Sequence, residues 1–108
     1  HSEETVRRRA AVAAHFDVAT LAGEVVGYAE GDLRPPVAHL NRIAVHPAHQ
    51  GRGVGTALMR DALRDFWRQG AGYVTLNTQS DNVYSQRLYR RFGFEATGDF
   101  ATVWKLEL

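Results

Sequence analysis

Two amphipathic helical patterns set among short apolar strands predict a mixed α/β domain, with a mostly antiparallel central sheet and the order β-β-β-α-β-α-β-β. One observation is the apolar series Val54, Leu58, Ala62 and Phe66, recurring every four residues after a glycine-rich loop. A second four-residue series, Tyr84, Leu88 and Phe92, runs up to Gly93. The third is that strand-like segments precede and follow the helices without strict alternation, which argues against a doubly wound sheet.

Residues 11–18 are rich in Ala and Val and too short for a convincing helix. The turn signal Ala22-Gly23-Glu24 and a second strand at residues 25–29 suggest an antiparallel hairpin with a somewhat longer loop. Gly31-Asp32 and Pro35-Pro36 mark an irregular connection, since proline gives no ladder donor. A third strand covers residues 39–45 and ends at His46-Pro47, with His46 read as a turn residue. The first helix runs to Gln69, with Arg60, Asp61, Arg64, Asp65 and Arg68 on its polar face and Gly70 and Gly72 stopping it. A fourth strand spans residues 73–78, and Ser80-Asp81 supplies cap candidates for the second helix. Two last strands are expected at residues 94–98 and 101–108.

The 108 residues make one domain. Thirteen Lys and Arg against twelve Asp and Glu leave a formal charge of +1, which gives no electrostatic case for nucleic acid or an anionic membrane. Arg7-Arg8-Arg9 reads as a solvated lead into a strand. The absence of cysteine excludes disulfides, thiolate zinc sites and a cysteine nucleophile, and fits a cytoplasmic protein. No apolar run approaches the ~20 residues of a membrane span. A first residue of His rather than Met suggests a processed or shortened N-terminus.

Gln50-Gly51-Arg52-Gly53-Val54-Gly55 places three glycines ahead of an amphipathic helix. Glycine allows tight turns and close backbone approach, and a helix N-terminus offers unpaired N–H groups, so this segment suits a phosphate or pyrophosphate. It is not a P-loop, nor the dinucleotide fingerprint, because position 56 is Thr. The pattern Gln50-x-x-Gly53-x-Gly55, directly after Ile43-Ala44-Val45-His46-Pro47, resembles the acetyl-CoA loop of the GNAT superfamily of N-acetyltransferases. That resemblance implies acetyl-CoA as cofactor. Its pyrophosphate would lie on backbone N–H groups between Gln50 and Thr56, hence Gln50, Gly51, Arg52, Gly53, Val54, Gly55 and Thr56. Its pantetheine arm would pair with Ile43, Ala44 and Val45, on a strand that splays from its neighbour in this superfamily. Arg52 either reaches a cofactor phosphate or stays in solvent.

Asn82-x-x-Ser85-x-x-Leu88-Tyr89-x-x-x-Gly93-Phe94 is similar to a second superfamily signature, with Ser85 in place of the usual alanine. The resemblance assigns Tyr89 as the general acid that protonates the departing CoA thiolate. Positions 82, 85 and 89 share a helix face, so Ser85 would meet the cofactor, and Asn82 either bonds the pantetheine arm or caps the helix.

Many relatives carry a glutamate base where this chain has Asn77, and an amide is no base. Another family position corresponds to His39, a candidate base, directly or through a water, if the face that period-2 alternation gives it with Asn41 and Ile43 lines the cleft. Glu30 and Asp32 are expected at the cleft edge, where either would bind a cationic substrate. Without cysteine, the amine would attack acetyl-CoA directly in a ternary complex, with an oxyanion donor near Val45. The five histidines form no HxxxH or HExxH pattern, so no metal is expected. Protein N-terminus, lysine, polyamine, amino acid and aminoglycoside stay open as acceptors, with a slight lean to the first. A non-catalytic acyl-CoA-binding module, or part of a larger assembly, is the alternative. Family members usually begin with a further strand and helices that this chain lacks, so an exposed sheet edge is expected to invite a homodimer.

Overall fold

The computed structural model describes residues 3–7, 14–77, 83–97 and 103–108. Seven strands form one sheet in the order β1-β2-β3-β4-β5-β7-β6. They are β1 (Glu3–Arg7), β2 (His15–Leu21), β3 (Glu24–Arg34), β4 (Val37–Val45), β5 (Tyr73–Asn77), β6 (Glu95–Thr97) and β7 (Val103–Glu107). Helix α1 (Val54–Arg68) joins β4 to β5, and α2 (Val83–Arg91) follows β5. Only β4 and β5 pair in parallel; every other pairing is antiparallel.

From His15 onward the order is the expected β-β-β-α-β-α-β-β, and β1 adds a strand along the outer edge of β2. The edge expected to be bare is therefore occupied. Arg7 ends β1, while Arg8 and Arg9 lie outside the described residues.

The β2–β3 connection is tighter than expected. Ala22 and Gly23 form a two-residue turn with φ of 52° and 83°, and positive φ at both positions matches the twist of a hairpin. Gly31-Asp32 is strand, not loop. At Gly31 a Cβ would sit 2.6 Å from Phe66 Cζ and 2.7 Å from the His39 carbonyl, so this glycine lets the strand pass under α1. Only Pro35-Pro36, with a cis peptide bond, makes the turn into β4.

The α1 stripe packs as its spacing requires: Val54, Leu58, Met59, Ala62 and Phe66 are all buried. Burying each large side chain of that row contributes about 1.5–3 kcal/mol. Asp65, expected on the polar face, is instead buried against β2, where its carboxylate meets His15 Nδ1 at 2.7 Å.

Gly31, Leu40, Leu76 and Trp104 stand in register across β3, β4, β5 and β7, and so point to one face. Gly31 meets Phe66 of α1, and the Trp104 ring lies 5.8 Å edge-on from Tyr89 of α2. Both helices therefore cover the same face. The opposite face carries half-buried Phe16, Val18, Tyr28, Glu30, His39 and Thr75, and no helix among the described residues covers it.

Candidate functional site

β4 is paired on both sides for only part of its length. Its parallel pairing with β5 runs from Val37↔Tyr73 to Leu40↔Leu76 and stops, while its pairing with β3 continues to Val45. The change falls at a bulge. Glu30 pairs Arg42 and Gly31 pairs Leu40, so Asn41 is the extra residue. Beyond it β4 and β5 part. The gap is a cleft of about 470 Å³ lined by residues that include Leu40, Ile43, Leu76, Asn77, Ser85 and Tyr89.

The ladder phase shows what β4 offers to this gap. The His46 N–H bonds the Val26 carbonyl at 2.8 Å, which makes 26/46 a hydrogen-bonded pair. In an antiparallel ladder such pairs alternate, so Ala44 and Arg42 also bond β3, and the N–H and C=O of Ile43 and Val45 face the gap. The Val45 carbonyl accepts from Gln50 Nε2 at 3.2 Å. Two N–H groups and the Ile43 carbonyl thus line the open edge. Of the three residues expected to pair with a pantetheine arm, Ile43 and Val45 present their backbone, whereas that of Ala44 is used by β3.

The glycine loop follows. A short 3-10 turn, Pro47–His49, is capped by His46, whose Nδ1 accepts from the Ala48 N–H at 3.1 Å. Gly51 and Gly53 have φ of 80° and 86°, a conformation that strains any other residue. Gly53 caps α1 without a side-chain hydrogen bond, and the first turn holds no acidic residue. The first helical bond is Ala57 N–H to the Gly53 carbonyl, so the N–H groups of Val54, Gly55 and Thr56 have no partner within the helix. The Val54 side chain itself is buried in the core, leaving only its backbone for a ligand, and Arg52 is exposed.

Sequence reasoning missed what α2 does here. A Cβ on Gly55 would collide with the Tyr84 hydroxyl, which accepts from the Gly55 N–H. Burial raises the Tyr84 pKa above its ordinary value, while Arg91 and the Gly55 N–H pull it the other way. Arg91 Nη1 donates to Thr56 Oγ1 at 3.1 Å. Two α2 side chains thus rest on the start of α1. The four-residue stripe predicted that Tyr84 packs inward, but no sequence signal named its partner.

Tyr89 and Ser85 are both buried and reach the cleft from α2. Phe94 and Trp104 hold the Tyr89 ring at centroid distances of 5.9 and 5.8 Å. Asn82 lies outside the described residues.

His39 does not share a face with Ile43. The bulge at Asn41 shifts the alternation by one residue: Ala38 and Leu40 are buried before it, Val45 after it. His39 therefore points to the helix-free face, where its Nδ1 meets Thr75 Oγ1 at 2.8 Å. It lines a separate hollow with Asp32, Leu33, Arg34 and Val37. Asp32 accepts from Asn41 Nδ2 at 2.9 Å. Neither Asp32 nor Glu30 is among the residues lining the cleft.

The cleft also passes through the sheet. Tyr28, Arg42, Ala44 and Asn77 border it from the helix-free face, Ser85 and Tyr89 from the helix face. The Arg42 guanidinium donates to the Tyr28 hydroxyl, which holds it more firmly protonated than usual. Two molecules can therefore meet in this gap from opposite sides.

The Acetyltransferase (GNAT) family matches residues 2–94. N-alpha-acetyltransferase RimI of Mycobacterium tuberculosis is 39% identical over 88 residues, which are 78% of this chain and 54% of that protein, so the chain spans about half its length. Ard1 from Thermoplasma volcanium superposes with a TM-score of 0.73 at 31% identity, over 83% of this chain and 66% of that one. A GNAT family acetyltransferase from Elizabethkingia anophelis, solved with acetyl-CoA bound, gives a TM-score of 0.82 over 99% of both chains; at 13% identity this shows a shared fold. With its parted β4 and β5, its glycine-led start of α1 and a family match over residues 2–94, the chain belongs to the GNAT acetyltransferase family.

Proposed function

We propose that this chain is one N-acetyltransferase domain that binds acetyl-CoA in the β4/β5 gap and transfers the acetyl group to an amine in a ternary complex. The observation that carries the reading is the open edge of β4. The N–H groups of Ile43 and Val45 and the carbonyl of Ile43 face a gap that leads to the start of α1, where the N–H groups of Val54 and Thr56 have no partner within the helix. An extended amide-bearing arm can pair with that edge as a strand does. Its pyrophosphate then falls on the loop from Gln50 to Thr56, where N–H groups and the helix dipole favour an anion. The yncA structure from Salmonella typhimurium, similar at 28% identity and solved with its cofactor acetyl-CoA, supports the same ligand.

Acetyl-CoA supplies an activated thioester carbonyl. The N–H of Ile43 or Val45 stabilises negative charge on its oxygen. An amine reaching the carbonyl from the helix-free face forms the new C–N bond as the C–S bond breaks. Tyr89, on the helix face, delivers a proton to the departing sulfur. His39 lies on the helix-free face one residue before the fork at Leu40, which suits removal of the amine proton through a water. The resemblance of Mycobacterium tuberculosis RimI, an N-alpha-acetyltransferase, favours a protein N-terminus as acceptor.

Asn77 favours a second reading. It lines the cleft where a carboxylate base would serve, and no Asp or Glu is among the lining residues. A non-catalytic acyl-CoA-binding module would look the same.

Calorimetric titration with acetyl-CoA, with NADH as comparator, tests binding, and turnover with a peptide panel tests transfer. Tyr89→Phe is expected to lower kcat about 100-fold, the lower end for a positioned acid, with acetyl-CoA affinity within about twofold. Tight cofactor binding with no turnover on any amine would establish the module instead.

A further inference from the structure

The fold gathers four side chains that the sequence keeps far apart. His15 and Asp17 project from β2 to the helix face, and Asp61 and Asp65, one turn apart on α1, come down to meet them. His15 and Asp17 are 1% and 0% exposed. Ligand atoms of His15, Asp17 and Asp61 all lie within 4.8 Å of one another. Asp65 sits on the other side of the imidazole, 2.7 Å from Nδ1.

We propose that His15 Nε2, Asp17 and Asp61 form a binding site for a first-row divalent cation such as Zn2+ or Mn2+, bolting β2 to α1. The Nε2 atom points to a ligand. It is buried and has no hydrogen-bond partner, although Asp17 Oδ2 is 3.1 Å away, because the two are not aligned for one. In the tautomer that donates Nδ1–H to Asp65, the Nε2 lone pair lies beside the Asp17 carboxylate and is open to a metal. One cation with bonds of about 2.0–2.2 Å spans the 3.1 Å edge between His15 Nε2 and Asp17, and the Asp61 carboxylate, within 4.8 Å of the other ligand atoms, turns in to complete the set. The Asp65 contact is the carboxylate–histidine–metal arrangement that fixes the tautomer and strengthens the ligand. One nitrogen and two carboxylate oxygens suit Zn2+ or Mn2+ better than a thiophilic ion. The site lies on the α1–β2 side of the domain and shares no residue with the cleft lining.

The test uses the 108-residue chain stripped with a chelator, titrated with Zn2+ by calorimetry and with Mn2+ by electron paramagnetic resonance. One saturable site and a Tm raised by Zn2+ are expected. Asp61 is half-buried, so Asp61→Asn should keep the fold, checked by circular dichroism, and weaken binding at least about tenfold; Asp65→Asn should weaken it about 10–100-fold. No binding overturns the proposal. So does binding indifferent to Asp61→Asn, which would place the ion elsewhere, for instance at His46 and His49. Two ring N–H protons on His15 in the Zn2+-treated protein would also overturn it, identifying an imidazolium held between Asp17 and Asp65.

Discussion

The two halves of β4 are made of similar residues and do different work. Residues 37–40 are hydrogen-bonded to β3 on one side and β5 on the other, with Ala38 and Leu40 in the core. Residues 42–45 keep only the β3 side, and the same backbone groups that would knit a sheet are left facing a gap. A strand paired on both sides spends its polar backbone on stability. One paired on a single side keeps it for a ligand. The single extra residue at Asn41 marks the boundary, and it also turns His39 away from Ile43.

The largest expected difference between the halves is in stability. Leu40→Ala, at a fully buried position, should cost about 2–5 kcal/mol in chemical denaturation, and Ile43→Ala, half-buried, about half as much. Equal losses would mean that the open half packs as tightly as the closed one.

Proline sharpens the comparison because it deletes one N–H. At position 43 that N–H faces the gap, and at 44 it bonds β3. Ala44→Pro should therefore cost about 1–3 kcal/mol more than Ile43→Pro, the penalty of a ladder acceptor left unmet. Ile43→Pro should lose acetyl-CoA affinity by at least about tenfold while still folding. If the two variants behave alike in binding and stability, the ladder phase assigned to β4 is wrong.

The smallest effect concerns the cradle at the start of α1. The Tyr84 pKa is raised in the folded protein, chiefly by burial. A raised folded pKa means that its contribution is complete below the unfolded value of about 10 and is lost as pH rises through the folded one. Tyr84→Phe should therefore flatten the stability–pH profile above about pH 10 and leave it unchanged at neutral pH. A steeper alkaline loss in the variant would mean that Arg91 and the Gly55 N–H outweigh burial at Tyr84.

Much of this was legible in the chain. Four-residue apolar spacing located both helices, because helical packing against a sheet demands one continuous stripe. Gly51, Gly53 and Gly55 marked the loop, since two of them need positive φ and the third must leave room for the Tyr84 hydroxyl. Local motifs carry that kind of information because the constraint lies within a few residues.

Other features were not legible, for a related reason. Strict period-2 alternation put His39 beside Ile43, and nothing in the sequence near Asn41 announces a bulge. Asp65 read as a solvent-facing charge because its partner, His15, is fifty residues away. The five histidines read as scattered, yet the approach of β2 to α1 brings one of them to three aspartates. Sequence by itself determined both helices, the strands from β2 onward in outline, the loop and the family resemblance, since local spacing and backbone conformation are written in neighbouring residues; it did not give β1. Only the tertiary structure decided which edge of β4 stays open, which face His39 takes and which carboxylates surround His15. Those depend on register and on contacts between distant strands, where a shift of one residue reverses the outcome.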